Sequence, residues 1–324
     1  MGARAAVFPM HEPGGYPPAN DAVIEHAKRS EGRLVPYCRL DPAAAPLAEA
    51  RRCLGEGAAG VKLHPRAEGF ALDIPALEPV FALADERRLP VLVHAGRGIP
   101  ALGRHAVAVC ERHPGLALIL AHAGICDLAW LWKEAGGLPN LFFDTAWWSP
   151  SDLLALFRLV PPGHILFGSD APYASPAFGA AMGLRYAAQV GLSDEARELV
   201  FGGQLARILK GEEPADAGPA PGPQGIDADP LLERVYTFLV ASLGQMFRGV
   251  EPTETLALTA LACAVDDGAP QAETCATVLR LLELRPLADD RPSHFTPGIS
   301  HVVAAACVAR TPGVPMPRLR SDAR

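Results

Sequence analysis

Three apolar segments of this chain each end in a side chain that can bind a metal ion. They are residues 90–94, 118–122 and 165–170, which end in His94, His122 and Asp170. Continuous apolar runs of this length are typical of strands buried in a parallel sheet, and α/β enzymes carry their chemistry at the carboxyl ends of such strands. Two imidazoles and one carboxylate brought to the same rim would make up most of a site for a divalent metal ion.

The two histidines share a local pattern, in which an apolar run is followed by His, Ala and Gly. Gly96 and Gly124 let the backbone turn sharply at the strand end. A single histidine in this setting is more often a core residue bonded to a carbonyl, but two of them together with a strand-end aspartate favour a site. For Asp170 the alternative is the N-cap of the following helix, although Ser169 could take that place.

Four further residues are candidates for contact with a substrate. Lys62 and His64 alternate along a predicted strand and therefore point to the same side, which is either the interior of the barrel or a strand end in solvent. Arg97 could pair with a substrate carboxylate through its planar guanidinium, or lie on the surface. Trp147 follows another strand beside Trp148, where the two rings either form a pocket wall or cap the barrel.

Alternating strands and helices must position these residues. The apolar runs predict strands within 5–8, 34–40, 59–64, 91–94, 116–122, 141–145 and 165–170. Helical spacing falls near 20–30, 46–55, 76–88, 102–113, 127–135, 151–159 and 177–190. Repeated strand–helix units of this length indicate a parallel sheet with right-handed crossovers. Because a closed barrel of this type has eight strands, we predict an α/β fold with a TIM-barrel-like (β/α)8 architecture, incomplete with seven strands, plus a small C-terminal helical region.

The composition divides the chain into four parts. Residues 1–210 form the predicted barrel, and the Pro/Gly-rich residues 211–228 form a linker. Residues 229–311 carry helical spacing and form the C-terminal helical region. The basic residues 312–324 are predicted to be a disordered tail.

Charge and cysteine usage narrow the functional classes. A formal net charge of −7 disfavours binding to nucleic acid or to an anionic membrane. The seven cysteines include no CxxC pair, which favours reduced thiols in the cytoplasm. The longest apolar stretches are too short to span a bilayer. We therefore expect a cytoplasmic protein with a small-molecule substrate.

Residues 5–210 resemble the metal-dependent amidohydrolase superfamily, in particular the branch called amidohydrolase family 2, which also holds enzymes of the aminocarboxymuconate-semialdehyde decarboxylase type. The likeness rests on the motifs at 60–65, 93–96, 121–124, 144–146, 167–172 and 202–209. The resemblance implies that His94 is the fifth-strand metal ligand. It implies that His122 is the sixth-strand histidine, which acts in catalysis or as a second ligand. Asp170 would be the eighth-strand aspartate, which touches the metal and handles a proton. The metal implied is usually zinc.

The chain departs from this family at its first strand. Family members open with a strand that carries a metal-binding His-x-His pair, and this sequence contains no such pair. His11 does not follow a strand end and is a poor substitute. Either the chain starts after the family's first strand, or it is a degenerate member. An absent strand leaves two unpaired sheet edges, which leads to the hypothesis of a homodimer.

Three functional hypotheses follow from the residues and the resemblance. The first is a metal-dependent hydrolase of a small amide, ester or lactone, in which Asp170 and His122 are catalytic and Zn2+ is the cofactor. The second is a metal-dependent decarboxylase of a small carboxylic acid that uses the same site. The third is a degenerate, non-catalytic barrel with an interaction role.

Overall fold

Seven short strands lie side by side in one parallel sheet of the computed structural model, which describes residues 4–223, 228–287 and 297–317. The strands are β1 (Ala5–Val7), β2 (Leu34–Arg39), β3 (Gly60–Leu63), β4 (Pro90–Val93), β5 (Ala117–Leu120), β6 (Leu141–Asp144) and β7 (Ile165–Leu166). Their order in the sheet is their order in the chain, and every neighbouring pair is parallel. Within the described residues the sheet ends at β1 and β7, so the predicted incomplete barrel with seven strands is confirmed.

Helices connect the strands, as the strand–helix alternation predicts. They are α1 (Pro17–Lys28), α2 (Pro46–Glu56), α3 (Pro65–Glu68), α4 (Glu78–Glu86), α5 (Leu102–Arg112), α6 (Leu128–Ala135), α7 (Pro150–Leu159), α8 (Pro176–Gln189), α9 (Asp194–Glu198) and α10 (Gln204–Ile208). Proline occupies the first position of several of them, where its missing N–H costs no helical hydrogen bond. The short helix α3, directly after β3, has no counterpart among the predicted elements.

The strand register places one charged side chain, that of Lys62, beside an apolar cluster of the sheet. Leu92 belongs to an apolar cluster with Tyr37, Ile119 and Phe142, which come from β2, β5 and β6. Lys62 of β3 lies opposite Leu92. A polar side chain therefore sits beside an apolar cluster that several strands build.

The C-terminal region contains four long helices in the described residues, namely α11 (Pro230–Met246), α12 (Thr253–Ala262), α13 (Ala272–Leu284) and α14 (Ile299–Arg310). Their apolar faces share one core, in which Val235, Leu239 and Leu243 of α11 and Val302 of α14 are completely buried. Trp148 and Phe178 pack against that core.

The chain divides into two compact units. Unit 1 comprises the residues up to Ala146 together with Leu159–Gly168 and Ser193–Ala220, and it contains the whole sheet. Unit 2 comprises Trp147–Arg158, Ser169–Leu192 and the described residues from Pro221 onward. The predicted boundaries at 210, 228 and 311 remain predictions. Residues 224–227 of the predicted linker, 288–296 of the helical region and 318–324 of the tail lie outside the described residues.

Two further properties follow from the described residues. All seven cysteines have free thiols, and six of them are buried. The described helices include none whose length and apolar character would suffice to cross a membrane.

Candidate functional site

Two strand-end histidines of unit 1 are joined by a hydrogen bond. His122 Nε2 lies 2.9 Å from His94 Nδ1, and His122 Nδ1 lies 2.5 Å from the Ala146 carbonyl oxygen. Because a carbonyl oxygen can only accept a hydrogen bond, His122 Nδ1 carries the proton of that ring. His122 Nε2 therefore accepts the hydrogen bond that His94 donates through Nδ1–H. In their neutral forms the two rings therefore have one defined arrangement of protons, which we call the histidine pair.

The backbone of His122 is held in an unusual conformation. Its φ of 59° lies in the left-handed region, which is unfavourable for a residue with a side chain. Asp144, at the end of β6, accepts hydrogen bonds through Oδ1 from the N–H groups of His122 at 2.8 Å and of Ala146 at 3.0 Å. One buried carboxylate thus holds the backbone of His122 and the residue whose carbonyl fixes its proton.

A third imidazole lies against the pair. The ring of His64 stacks on the ring of His94 at a centroid distance of 3.8 Å and an interplanar angle of 11°. His64 is the N-cap of α3, and its Nδ1 accepts a hydrogen bond from the N–H of Ala67 at 3.1 Å. The short helix α3 therefore fixes the orientation of His64.

Burial and neighbouring positive charge lower the pKa values of His64 and His94. Burial is the largest cause that lowers the pKa of His94 to about 2, followed by His64 and His122. Burial, Lys62 and Arg39 lower the pKa of His64 to about 3. The side chain of Lys62 is buried, and its Nζ lies 4.8 Å from the centre of the Phe8 ring. The alternative that this strand end lies in solvent is therefore wrong.

These lowered pKa values predict a loss of stability in acid. An unfolded histidine binds a proton below about pH 6.5, whereas His64 and His94 in the folded chain stay neutral down to about pH 3 and pH 2. Between those limits the unfolded state binds more protons, so the free energy of unfolding should fall as the pH falls. We expect the substitution His64→Asn, which keeps an N-cap acceptor, to reduce this slope by about one proton. Urea unfolding between pH 4 and pH 7 measures the dependence of the free energy of unfolding on pH for the unsubstituted chain and for His64→Asn. Equal slopes for the two proteins would contradict the lowered pKa of His64.

A buried ion pair holds α3 against the sheet. Glu68 Oε1, at the end of α3, accepts from Arg39 Nη2 of β2 at 2.6 Å and from the Tyr16 hydroxyl at 2.5 Å. The Arg39 and Glu68 side chains are each 4% exposed. His11, a poor substitute for the missing metal-binding histidines, lies beside this cluster, and its Nδ1 is 3.3 Å from the Tyr16 hydroxyl. The cluster therefore supports the helix whose first turn carries His64.

Sequence reasoning missed this cluster. Arg39 lies two and four residues after Tyr37 and Val35, which are both buried. Alternate residues of a strand point to the same face, so the sequence could have predicted that Arg39 points to the same face as these two residues. Glu68 lies in a four-residue helix without an apolar pattern. No sequence signal marks it as the partner of Arg39.

Gly96 leaves room for the histidine pair. A Cβ atom at this position would lie 2.6 Å from His94 Nε2 and 3.5 Å from His122 Cδ2. We expect Gly96→Ala to displace the His94 ring and to lower the free energy of unfolding by about 1–3 kcal/mol, because an added methyl group in a filled space forces the neighbouring side chains to shift. Gly136→Ala is the matched control, since nothing lies within 4 Å of that position. Urea unfolding of both variants checks the prediction, and equal free energies of unfolding would contradict it.

The remaining predicted site residues are placed as follows. Arg97 is exposed in the loop after β4, in unit 1. Asp170 and Trp147 belong to unit 2. The Trp147 indole N–H donates to Asp152 Oδ2 at 2.7 Å, and its ring lies 5.9 Å from that of Trp148.

Asp170 is exposed, and its backbone is left-handed with a φ of 55°. Its carbonyl oxygen accepts a hydrogen bond from the N–H of Tyr173 at 2.8 Å. The N-cap of α8 is Ser175, whose side chain accepts from the N–H of Phe178. The alternatives in which Asp170 or Ser169 caps that helix are therefore wrong.

The donors of the histidine pair suit a divalent ion at two positions. Two nitrogens that bind one tetrahedral zinc ion lie about 3.3 Å apart, so a distance of 2.9 Å between His94 Nδ1 and His122 Nε2 needs only a small shift and the loss of the shared proton. In residues 4–223, 228–287 and 297–317, however, no group of three or more His, Cys, Asp or Glu side chains is arranged to hold a metal ion. The ligand set is thus incomplete.

Comparisons with known proteins agree with this fold. The family model described as Amidohydrolase matches residues 11–210. An uncharacterised TIM-barrel protein from Bordetella bronchiseptica has 18% sequence identity and a TM-score of 0.54, with 64% of this chain and 78% of that chain covered. This likeness supports the barrel fold, and a search of curated proteins finds no match.

Two decarboxylases are also among the similar solved structures. The 5-carboxyvanillate decarboxylase from Sphingomonas paucimobilis has 18% identity and a TM-score of 0.47, with 59% of this chain and 71% of that chain covered. A dihydroxybenzoic acid decarboxylase from Polaromonas sp. JS666, solved with bound manganese and an inhibitor, has 17% identity and a TM-score of 0.48, with 60% and 74% covered.

Proposed function

Because this chain belongs to the amidohydrolase family, we propose that it is an enzyme that hydrolyses a small amide, ester or lactone at the histidine pair. The observation that carries the proposal is the hydrogen-bonded chain from His94 through His122 to the Ala146 carbonyl. That chain leaves His122 Nε2 as an oriented proton acceptor, which is what a general base requires.

The proposed roles begin with His122. His122 Nε2 would accept a proton from the attacking water, which replaces His94 Nδ1–H as its hydrogen-bond donor. The Ala146 carbonyl would stabilise the resulting imidazolium through His122 Nδ1–H, at 2.5 Å. We assign to Asp170 the transfer of that proton from His122 to the leaving group, and to Lys62 and His64 contacts with the substrate.

We further propose that the reaction needs a divalent ion, for which the family resemblance implies zinc. His94 Nδ1 and Asp170 would bind the ion while His122 acts as the base, because one nitrogen cannot hold the ion and accept a proton at the same time. In the alternative that the resemblance leaves open, His122 Nε2 is a second imidazole ligand and takes no part in the proton transfer. Such an ion supplies Lewis-acid activation of water or of a carbonyl oxygen when bound. The incomplete ligand set favours the competing view of a non-catalytic barrel, so the metal content decides between the two.

The test combines metal analysis with a substrate panel. We expect the full chain, purified after growth with zinc or manganese, to hold about one ion per molecule by plasma mass spectrometry. His94→Ala should lower that content, whereas His26→Ala, which alters an exposed histidine of α1, should not. The panel contains amides, esters, lactones and aromatic carboxylic acids. Release of carbon dioxide without hydrolysis would support the decarboxylase alternative, and absence of both metal and turnover would support the non-catalytic barrel.

A further inference from the structure

The imidazole of His64 differs from the two rings of the histidine pair in where it carries its proton. Its Nδ1 accepts a hydrogen bond from the N–H of Ala67 at 3.1 Å, and a ring nitrogen that accepts a hydrogen bond holds no proton. The ring is therefore neutral, and its proton is on Nε2. In the pair, by contrast, the proton of each ring is on Nδ1. His64 thus presents a donor at Nε2, where His122 presents an acceptor.

Two contacts hold the ring of His64 in one orientation. The stack on His94, with an interplanar angle of 11°, sets the plane of the ring. The hydrogen bond from the N–H of Ala67 sets the rotation of the ring within that plane. The direction of the Nε2–H bond is therefore fixed before a ligand arrives, which is the condition for strong electrostatic stabilisation in an active site.

The Nε2–H group of His64 is able to take a ligand as its acceptor. In the part of the chain that the structure describes, no residue hydrogen-bonds to this nitrogen, and His64 is only half-buried. The ring of His94 contacts the rings of both His64 and His122, at centroid distances of 3.8 and 4.5 Å. The fixed donor and the proposed general base therefore lie on two rings that flank a third.

We propose that His64 Nε2–H is the oxyanion donor of the site, which hydrogen-bonds the carbonyl oxygen of the substrate. When water attacks the carbonyl carbon, its oxygen forms the new bond to that carbon and its proton passes to His122 Nε2. The electron pair of the carbonyl double bond moves to the carbonyl oxygen, and the His64 donor stabilises the resulting negative charge. The double bond then forms again, and the leaving group departs with the proton that Asp170 transfers.

His64 keeps its own proton throughout this sequence, because it acts as a hydrogen-bond donor and not as an acid. A neutral imidazole can polarise a carbonyl oxygen in this way. The inference deepens the proposed hydrolysis and rests on it for the catalytic step. The contact between His64 and a carbonyl oxygen is tested by binding alone.

NMR of the full chain, labelled with ¹⁵N in its histidine rings, tests the contact without turnover. We expect the proton of His64 on Nε2, with the signals of this ring identified by their loss in His64→Asn. The lactam δ-valerolactam carries an amide carbonyl and should shift the Nε2 resonance of His64. Tetrahydropyran has the same ring size without a carbonyl and should not. A proton on Nδ1, or a response to the lactam no larger than that to tetrahydropyran, would overturn the proposal.

Two substitutions of His64 separate the donor from the helix cap. Asparagine places an oxygen where Nδ1 accepts from the N–H of Ala67, but it is too short to place an N–H at the position of Nε2. Glutamine reaches the position of Nε2 with an amide N–H, but it provides no acceptor near that of Nδ1. We expect His64→Asn to lower kcat by about 100- to 1000-fold with KM nearly unchanged, as for the loss of one oxyanion donor. His64→Gln should keep at least about tenfold more of kcat than His64→Asn.

A role of His64 as a helix cap alone predicts the opposite order of rates, because only asparagine keeps the cap. Urea unfolding should show His64→Asn to be the more stable of the two variants, so stability and rate move in opposite directions. His26→Asn, which alters an exposed histidine of α1, is the control and should keep the rate of the unsubstituted chain.

The outcomes separate this inference from the proposed function. Turnover that is unchanged in His64→Asn, or higher in His64→Asn than in His64→Gln, would overturn the role of His64 and leave the proposed hydrolysis standing. A lactam-induced shift of the His64 resonance without turnover on the substrate panel would remove the proposed hydrolysis and keep His64 as a donor that binds a carbonyl oxygen.

Discussion

Replacing His122 with asparagine is expected to lower turnover by about 100- to 10,000-fold, the usual contribution of a positioned general base. His122 Nε2 is the proposed proton acceptor, and an amide side chain cannot take up a proton at neutral pH. Asparagine is chosen because it tolerates the left-handed backbone at this position better than alanine does. Steady-state kinetics on the best substrate of the panel measure the effect.

The matched control is His26→Ala, because His26 is exposed on α1 and takes no part in the proposed reaction. Thermal unfolding of both variants shows whether the fold survives. If His122→Asn keeps the fold and loses less than about tenfold in rate, His122 is not the general base. The hydrogen bond to His94 would then have a structural role.

The substitution Glu68→Ala is expected to lower the free energy of unfolding by about 3–5 kcal/mol, because it leaves a buried charge without its partner. Arg39 and Glu68 are each 4% exposed. Within the described part of the chain Arg39 Nε has no hydrogen-bond partner, and the Pro9 carbonyl that accepts from Arg39 Nη1 carries no net charge that could replace Glu68. The same change removes the acceptor of the Tyr16 hydroxyl. Urea unfolding of the full chain, followed by circular dichroism, measures the loss.

Two comparisons separate the buried pair from ion pairs in general. The pair between Arg88 and Glu213 has side chains that are 43% and 80% exposed, so Glu213→Ala should cost at most about 1 kcal/mol. The double variant Arg39→Met with Glu68→Met removes both buried charges and should be more stable than Glu68→Ala alone. Equal losses for Glu68→Ala and Glu213→Ala would mean that Arg39 gains solvent when its partner is removed.

The position of α3 also predicts that the ion pair between Arg39 and Glu68 affects the histidine pair. Glu68 and His64 lie at opposite ends of the four-residue helix α3, and the His64 ring stacks on His94. Loss of the ion pair should therefore disturb the stack as well as the fold. The dependence of the free energy of unfolding on pH, to which His64 contributes, can be measured on Glu68→Ala as a second readout of this disturbance.

Local sequence patterns were enough to predict the strands and the two central histidines. A buried parallel strand must be apolar over its whole length, so seven such runs predicted the seven strands, and His94 and His122 were readable as the residues that end two of them. The alternation of Lys62 with His64 also followed from strand geometry. These features depend only on residues close together in the chain.

The tertiary structure alone decided how these groups meet. Asp144 reaches the backbone of His122 across 22 residues, and Arg39 reaches Glu68 across 29, so both contacts depend on strand pairing and on the direction of α3. The same pairing made the Ala146 carbonyl the partner that fixes the proton on His122. No local pattern encodes such contacts, because hydrogen bonds and ion pairs depend on distances of a few tenths of an ångström between segments that only folding brings together.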